Sequence, residues 1–355
     1  MQKVIAKINL KAVQNNARAF RELTKVKLCA VVKANAYGHG ASEVVNALSG
    51  IADCFAVALI EEGIEIRQAA CGKEILVFTP PMTAEETAAI AENSFVATVG
   101  DLKTARLVKR VAERLKKPIK VHLKINTGMN RYGMNLSMLG KVCKLFSEGE
   151  FVQTTGLYSH LYGDETAARK QRELFVRAKM IAKGYFPNLL CHLSATHGSL
   201  LGGEFLFDMT RVGIGLYGYL PENLGERARI SAADLSLEKA MKVYARVALT
   251  RKYSFGGLGY GKDADFEKGE RVQLSLLRVG YADGFLRKQQ NGVEGEKKNA
   301  NALCMDACVR FGRKARGRYE LILSDADETA EKTGTISYEV LCAATRRAQF
   351  VYEYE

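Results

Sequence analysis

Apolar positions in the first two thirds of the chain fall into two alternating textures. Short β-rich runs occupy residues 28–32, 54–59, 75–78, 95–99, 119–125, 155–159, 189–193 and 210–213. Between them lie stretches whose apolar residues recur at helical spacing, including 61–70, 84–92, 102–115, 136–146 and 167–183. Strand and helix periods trading places predict βαβ units on a parallel sheet. Eight such runs within about 200 residues predict an α/β fold, a closed (β/α)8 TIM-like barrel. A doubly wound open sheet competes, but it would carry an early Gly-rich dinucleotide loop, which this sequence lacks. Beyond about Arg227 the helical texture fades. Strand-like runs at 241–250, 272–279 and 320–323 are punctuated by Gly and Asp and predict a separate, mainly β domain. The expected organisation is an N-terminal strand in residues 1–10 joining the C-terminal domain, a barrel over 11–227, and the mainly β domain over 228–355. Residues 286–302, polar and rich in Gly, Asn and Lys, are expected to form an exposed loop.

Composition narrows the class. The 355 residues are 47% hydrophobic and 26% charged, enough apolar content for a sizeable core and, by length, for about two domains. No apolar run reaches the roughly 18 residues that would span a bilayer. The opening Met1-Gln2-Lys3-Val4-Ile5 leads into no apolar signal region, so a cytoplasmic protein is expected. Eight cysteines fit a reducing compartment; Cys29, Cys54 and Cys191 lie inside apolar runs, where a thiol behaves as a small hydrophobe. Cys304 and Cys308 are close together, but no second pair or His cluster completes a zinc spacing, so no metal is expected. The formal charge is +13, yet Lys and Arg are spread along the whole chain and no recognition motif accompanies them. Solvated helix faces account for them more simply than nucleic acid.

Two segments carry chemistry. The run Val31-Val32-Lys33-Ala34-Asn35-Ala36-Tyr37-Gly38-His39-Gly40 drives a buried strand into one lysine and then a Gly-rich turn. Burial disfavours an ammonium, and the neutral amine is a nucleophile for an aldehyde, so a Schiff base is the natural function; a snorkelling strand-end lysine is the plain alternative. In a (β/α)8 barrel the C-terminal strand ends form the active site, which is where Lys33 falls. Tyr37 follows, able to place a phenol near a phosphate. The second segment, Met209-Thr210-Arg211-Val212-Gly213-Ile214-Gly215-Leu216-Tyr217-Gly218, ends the eighth strand run. Its glycines allow backbone N–H groups to face a phosphate, with Arg211 as a cation beside them and the Thr196 hydroxyl available from the preceding strand end.

These segments resemble the alanine racemases, fold-type III pyridoxal-phosphate enzymes, over nearly the whole chain. The matching pieces recur in order: the Lys33 motif, Thr127-Gly128-Met129-Asn130-Arg131, Ser159-His160, the Arg211 run, Gly259-Tyr260-Gly261, Gly280-Tyr281-Ala282-Asp283-Gly284, Cys304-Met305-Asp306, and Ile336-Ser337-Tyr338-Glu339-Val340-Leu341-Cys342. The resemblance implies that Lys33 carries pyridoxal 5'-phosphate, with Tyr37, Thr196, Gly213, Ile214 and Tyr338 around its phosphate. It implies Arg211 at the pyridine nitrogen and His160 near the ring. Arg131 would approach the cofactor's phenolic oxygen and the substrate carboxylate. Met305 would sit near that carboxylate, and Tyr281 would narrow the mouth of the site. Lys33 and Tyr260 would be the two catalytic bases, one for each face of the substrate. Lys124 matches a lysine that many relatives carbamylate to hold the arginine. The family's tyrosine base comes from the partner subunit, which implies a homodimer with shared sites.

The chemistry is coherent. Racemisation removes the α-proton from one face and returns it on the other, so two bases are needed, and a phenol must be held as phenolate to serve. An arginine opposite the pyridine nitrogen donates a hydrogen bond without yielding its proton. The ring is then a weaker electron sink, and misplaced protonation leading to transamination is suppressed. The sequence departs from relatives at Ala195, where Asn is usual, at Thr196 for Ser, at Asn126 for Asp, and in about two extra residues between Tyr260 and Gly280. Substrate is therefore less fixed than reaction type. Alternatives to alanine are serine or another small amino acid, as in the catalytic domain of vancomycin-resistance serine racemases. A non-enzymatic pyridoxal-phosphate carrier is shorter by the C-terminal domain, and the related decarboxylases have a C-terminal cysteine site not evident here.

Overall fold

The computed structural model describes residues 3–222, 224–254, 269–287, 303–312 and 314–354. In chain order the strands are β1 (Val4–Asn9), β2 (Lys27–Val31), β3 (Cys54–Val57), β4 (Ile75–Val77), β5 (Val96–Val99), β6 (Ile119–Lys124) and β7 (Val152–Tyr158). They continue with β8 (Leu190–His192), β9 (Met209–Val212), β10 (Met241–Ser254), β11 (Arg271–Leu277), β12 (Cys308–Phe311), β13 (Tyr319–Leu323) and β14 (Gln349–Glu353). The chain divides into two compact units: Val13–Ala36 with Ala41–Glu238, and Met1–Ala12 with Tyr37–Gly40 and Lys239–Glu355.

The larger unit is the barrel. Strands β2 to β8 pair in parallel in sequence order, and β9 pairs with β2. Closure between β8 and β9 rests on the bridge Ala195–Arg211 and on hydrogen bonds from Asp208 N to Cys191 O and Arg211 N to Ser194 O. The strands are short and buried on both faces, as β2 to β5 show, which is why they read as continuous apolar runs. The helices between them start where the sequence supplies a cap. Thr83, Asp101, Asn135 and Asp164 each accept from a backbone N–H of the first turn, satisfying a donor that the helix itself leaves open.

The barrel interior is polar. Thr98, His122, Lys124, Tyr158, His192 and Arg211 are all buried. Tyr158 stacks on His192 with ring centroids 4.8 Å apart and planes within 2°. Its hydroxyl donates to Thr98 Oγ1 at 2.7 Å, because the Thr98 proton is spent on Val77 O. His122 fits only because position 156 is glycine; a Cβ there would stand 2.4 Å from His122 Cδ2.

The second unit is a six-stranded sheet in the order β12-β11-β10-β1-β14, with β13 also on β10. β1 runs antiparallel to β10 and parallel to β14, so the first strand of the chain belongs to this sheet. Two helices, Ala326–Thr333 and Ser337–Ala344, accompany it. The run at 336–342 thus forms a helix, and 326–333 adds helical structure to a region whose texture predicted strands. The segment expected as a loop at 286–302 lies, from 288 onward, outside the described residues.

The turn after Lys33 is unusual. Ala34, Asn35, Ala36 and Tyr37 all have φ between 52° and 54°, and Gly38 has φ 80°. Four consecutive non-glycine residues are left-handed, at about 1–2 kcal/mol each. Gly38 has a second reason to be glycine, since a Cβ would lie 2.4 Å from Leu341 O.

Two expectations follow. Gly38→Ala should destabilise by about 2–4 kcal/mol through left-handed strain and overpacking. Gly140→Ala, on a helix with open space around the new Cβ, should be neutral or stabilising. Urea midpoints for the pair decide this, and equal midpoints would contradict the reading. Burial pulls His122 down to about 4 and His192 well below its ordinary value. An unfolded imidazole binds its proton below about pH 6.5, while these two refuse it in the fold. Stability should therefore fall with pH from about 6.5 towards 4, by about 1.4 kcal/mol per unit for each such imidazole. A urea midpoint unchanged between pH 7 and pH 5 would rule this out.

Candidate active site

The expected barrel residues lie at strand ends or just beyond them. Lys33 is two residues past β2, Lys124 ends β6, His160 is two past β7, Thr196 opens the helix after β8, and Arg211 is on β9. Lys33 is half-buried at the start of the left-handed turn. That turn is held within the barrel unit by Ala36 N to Val32 O, by Ala34 N to Glu62 Oε1 at 2.7 Å, and by Ala41 N to Asn35 Oδ1 at 2.7 Å.

Arg211 is held on every terminal nitrogen. It is 2% exposed, and among the described residues its hydrogen-bond partners include no carboxylate. Its Nη1 donates to His192 Nδ1 at 2.8 Å and His192 O at 3.0 Å. Its Nη2 donates to Ser159 O at 2.6 Å and Leu193 O at 3.0 Å. A guanidinium has five N–H donors. The four terminal ones face acceptors of the barrel wall, so Nε–H is the one available to a ligand acceptor. Burial brings Arg211 down to about 10, which leaves it cationic at neutral pH.

His160 shows which residues converge. Burial, and then the charges of Arg211, Lys124, Arg131 and Lys33, hold its pKa well below the ordinary imidazole value. Two arginines and two lysines among the expected site residues therefore act on one neutral imidazole. Lys124 Nζ lies 4.2 Å from the Tyr158 ring centroid, and its pKa is pushed well down by burial, then by Arg211 and Arg131. A site with these charges suits an anionic group such as a phosphorylated cofactor.

The loop carrying Arg131 is tied to the barrel. Asn126 N donates to Met134 O, and Met134 N to Lys124 O. Asn126 Oδ1 accepts from Gly128 N and Asn130 N, both at 3.1 Å, so Asn performs here the turn-holding that an Asp would. Arg131 itself is exposed. At the expected phosphate site, Gly213 N donates to Thr196 Oγ1 at 3.3 Å, and Ile214 opens a single 3-10 turn. Gly215 is needed there, because a Cβ would meet the Phe20 ring at 2.4 Å and Thr196 Cγ2 at 3.1 Å. Ala195, where relatives usually carry Asn, precedes the Thr196 helix and supplies no side-chain cap.

In the second unit Tyr37 is buried, and its ring lies 6.0 Å from that of Tyr338, centroid to centroid. Tyr281 N donates to Cys304 O and Ala282 N to Met305 O, so the Tyr281 and Met305 segments are zipped together. Both side chains are exposed. Tyr260 lies outside the described residues. Sequence reasoning missed His122, Tyr158 and His192. The signal was strand alternation: His122 shares the face of Lys124, and Tyr158 that of His160.

Comparison with known proteins gives the family. A family model described as the alanine racemase N-terminal domain matches residues 8–221, and one for the alanine racemase C-terminal domain matches residues 240–352. An alanine racemase of Methanococcus maripaludis is 30% identical, covering 98% of each chain, and one of Nostoc is 31% identical over 98% of this chain and 95% of its own. Among solved structures, alanine racemase of Clostridium difficile 630 superposes with a TM-score of 0.88 at 28% identity, covering 99% of this chain and 96% of its own. That of the D-cycloserine producer Streptomyces lavendulae gives 0.86 at 28%, covering 99% and 97%. With both domain models matched across most of its length, the chain belongs to the alanine racemase family.

Proposed function

We propose that this chain interconverts L-alanine and D-alanine by a two-base mechanism, using pyridoxal 5'-phosphate held on Lys33, as a cytoplasmic homodimer. The observation that carries the reading is the buried Arg211, whose terminal donors are taken by the barrel wall and whose Nε–H is left for a ring nitrogen. When bound, the cofactor delocalises the charge left on the substrate α-carbon.

The side chains do the rest. The Lys33 amine takes or returns the α-proton on one face. The Tyr260 phenolate serves the other face, contributed in this family by the partner subunit. Arg211 donates and keeps its proton, since even a pKa of about 10 leaves it charged under working conditions. Thr196, Gly213 and Ile214 hold phosphate oxygens with a hydroxyl and backbone N–H groups, and the resemblance assigns Tyr37 and Tyr338 to the same anion. Arg131 orients the substrate carboxylate, Met305 lies beside it, and Tyr281 limits what enters. His160 remains a neutral imidazole beside the ring.

Lys124 is assigned as the carbamylated lysine. Its depressed pKa raises the share of free amine, the form that adds to carbon dioxide. The resulting carboxylate would balance Arg131. All eight cysteines are free thiols, as in a reducing compartment, which supports the cytoplasmic reading.

The protein supplied with pyridoxal phosphate and, separately, L-alanine or L-serine should yield mainly D-alanine by chiral chromatography. Lys33→Ala should lose at least about 1,000-fold in rate, as expected for removal of a base that also anchors the cofactor. Dominant D-serine would move the assignment to serine racemisation, and an active Lys33→Ala would sink the mechanism. In a second test, 13C-labelled carbon dioxide should give one carbamate signal by NMR that disappears in Lys124→Ala. No such signal at neutral pH would leave Lys124 an unmodified amine.

A further inference from the structure

A buried titratable side chain on β6 stands outside the chemistry above. His122, on β6, is 5% exposed, and its Nδ1 lies 3.0 Å from His192 Nε2. His192 is in turn 2.8 Å from Arg211 through its other nitrogen. The three side chains are linked in turn inside the barrel, from Arg211 through His192 to His122.

The direction of every proton on that line follows from Arg211. A guanidinium only donates, so His192 Nδ1 must present its lone pair. A neutral imidazole carries its single hydrogen on the other nitrogen, so His192 has Nε2–H. A buried N–H without an acceptor is costly, and His122 Nδ1 is the acceptor at hand. His122 then carries its own hydrogen on Nε2. Burial keeps both rings neutral, so no additional proton upsets this arrangement. Packing fixes the planes as well. His192 is stacked on Tyr158, while His122 meets the same ring edge-on at 6.4 Å and 63°.

We propose that His122 is a positioning residue: by accepting from His192 Nε2–H it locks the tautomer that holds Arg211, and so aims the arginine's Nε–H without touching cofactor or substrate. With its acceptor removed, His192 can carry hydrogen on Nδ1 instead. That nitrogen would then face Arg211 Nη1 donor to donor. The guanidinium loses one of its supports and the aim of Nε with it. The inference rests on the assignment of Arg211 to the pyridine nitrogen, but its tautomer half stands without that assignment.

The test uses the holoenzyme in three forms. In 15N-histidine-labelled wild type, NMR should report His192 with a bare Nδ1 and a protonated Nε2; the opposite tautomer overturns the proposal outright. His122→Leu removes the acceptor, whereas His122→Asn keeps one near the Nδ1 position. His122→Leu should shift the visible band of the bound cofactor. It should also lower the ratio of racemisation to transamination by about tenfold, the scale of losing one supporting hydrogen bond behind a reacting centre. His122→Asn should restore most of both. Equal losses in the two variants, or a Leu variant with an unmoved band and ratio, would reduce His122 to packing. If His122→Leu does not fold, the wild-type tautomer and the His122→Asn band still decide. Arg211→Lys separates the two failures. If its band is unmoved, the pyridine assignment fails. If its band moves and that of His122→Leu does not, the lock fails.

Discussion

The structure turns on a cation placed where carboxylates are missing. Arg211 sits inside a closed barrel, and among the described residues its charge is met by three carbonyl oxygens and one imidazole. Burying a charge without a counter-ion is expensive, and the cost is tolerable here because every terminal N–H has an acceptor. Those acceptors come from the ends of β7 and β8, and Arg211 itself stands on β9, so the guanidinium ties the three strands together near the β8–β9 seam. Fold and proposed chemistry share one interaction: the residue that closes the seam is the one proposed to face the ligand.

The surroundings extend the same logic. Lys124 and the imidazoles of His122, His160 and His192 are all driven towards neutral forms, by burial first and neighbouring cations second. Among these groups positive charge is left to the arginines, a field that suits an anionic ligand. The left-handed turn after Lys33 belongs to this economy of placement. Strain of that size persists only where the surroundings over-determine it, and here Glu62, Asn35 and Gly38 do so.

Much of this was legible in the chain. Strand and helix periods predicted the barrel, because parallel strands buried on both faces leave plain apolar runs. Lys33 and Arg211 stood out because a charged residue at the end of such a run has few structural uses. The turn at Ala34 to Tyr37 was not legible: alanine and tyrosine have no left-handed preference, and only the finished contacts impose it. The His122–His192 pair was hidden because its partners are 70 residues apart in sequence and meet only once the barrel closes. The helix at 326–333 was legible and passed over. Asp325 accepts from Asp327 N and Glu328 N at its start, and Gly334 ends it with φ 71°, both ordinary boundary signals.

Arg211 is proposed to face the cofactor as a donor that keeps its proton. The most direct measurement is the 15N chemical shift of the ring nitrogen in protein reconstituted with 15N-labelled pyridoxal phosphate. An unprotonated, hydrogen-bonded nitrogen at neutral pH, moving when Arg211 is replaced by lysine, is the result this account predicts. A protonated nitrogen, or one indifferent to the residue at 211, would contradict it.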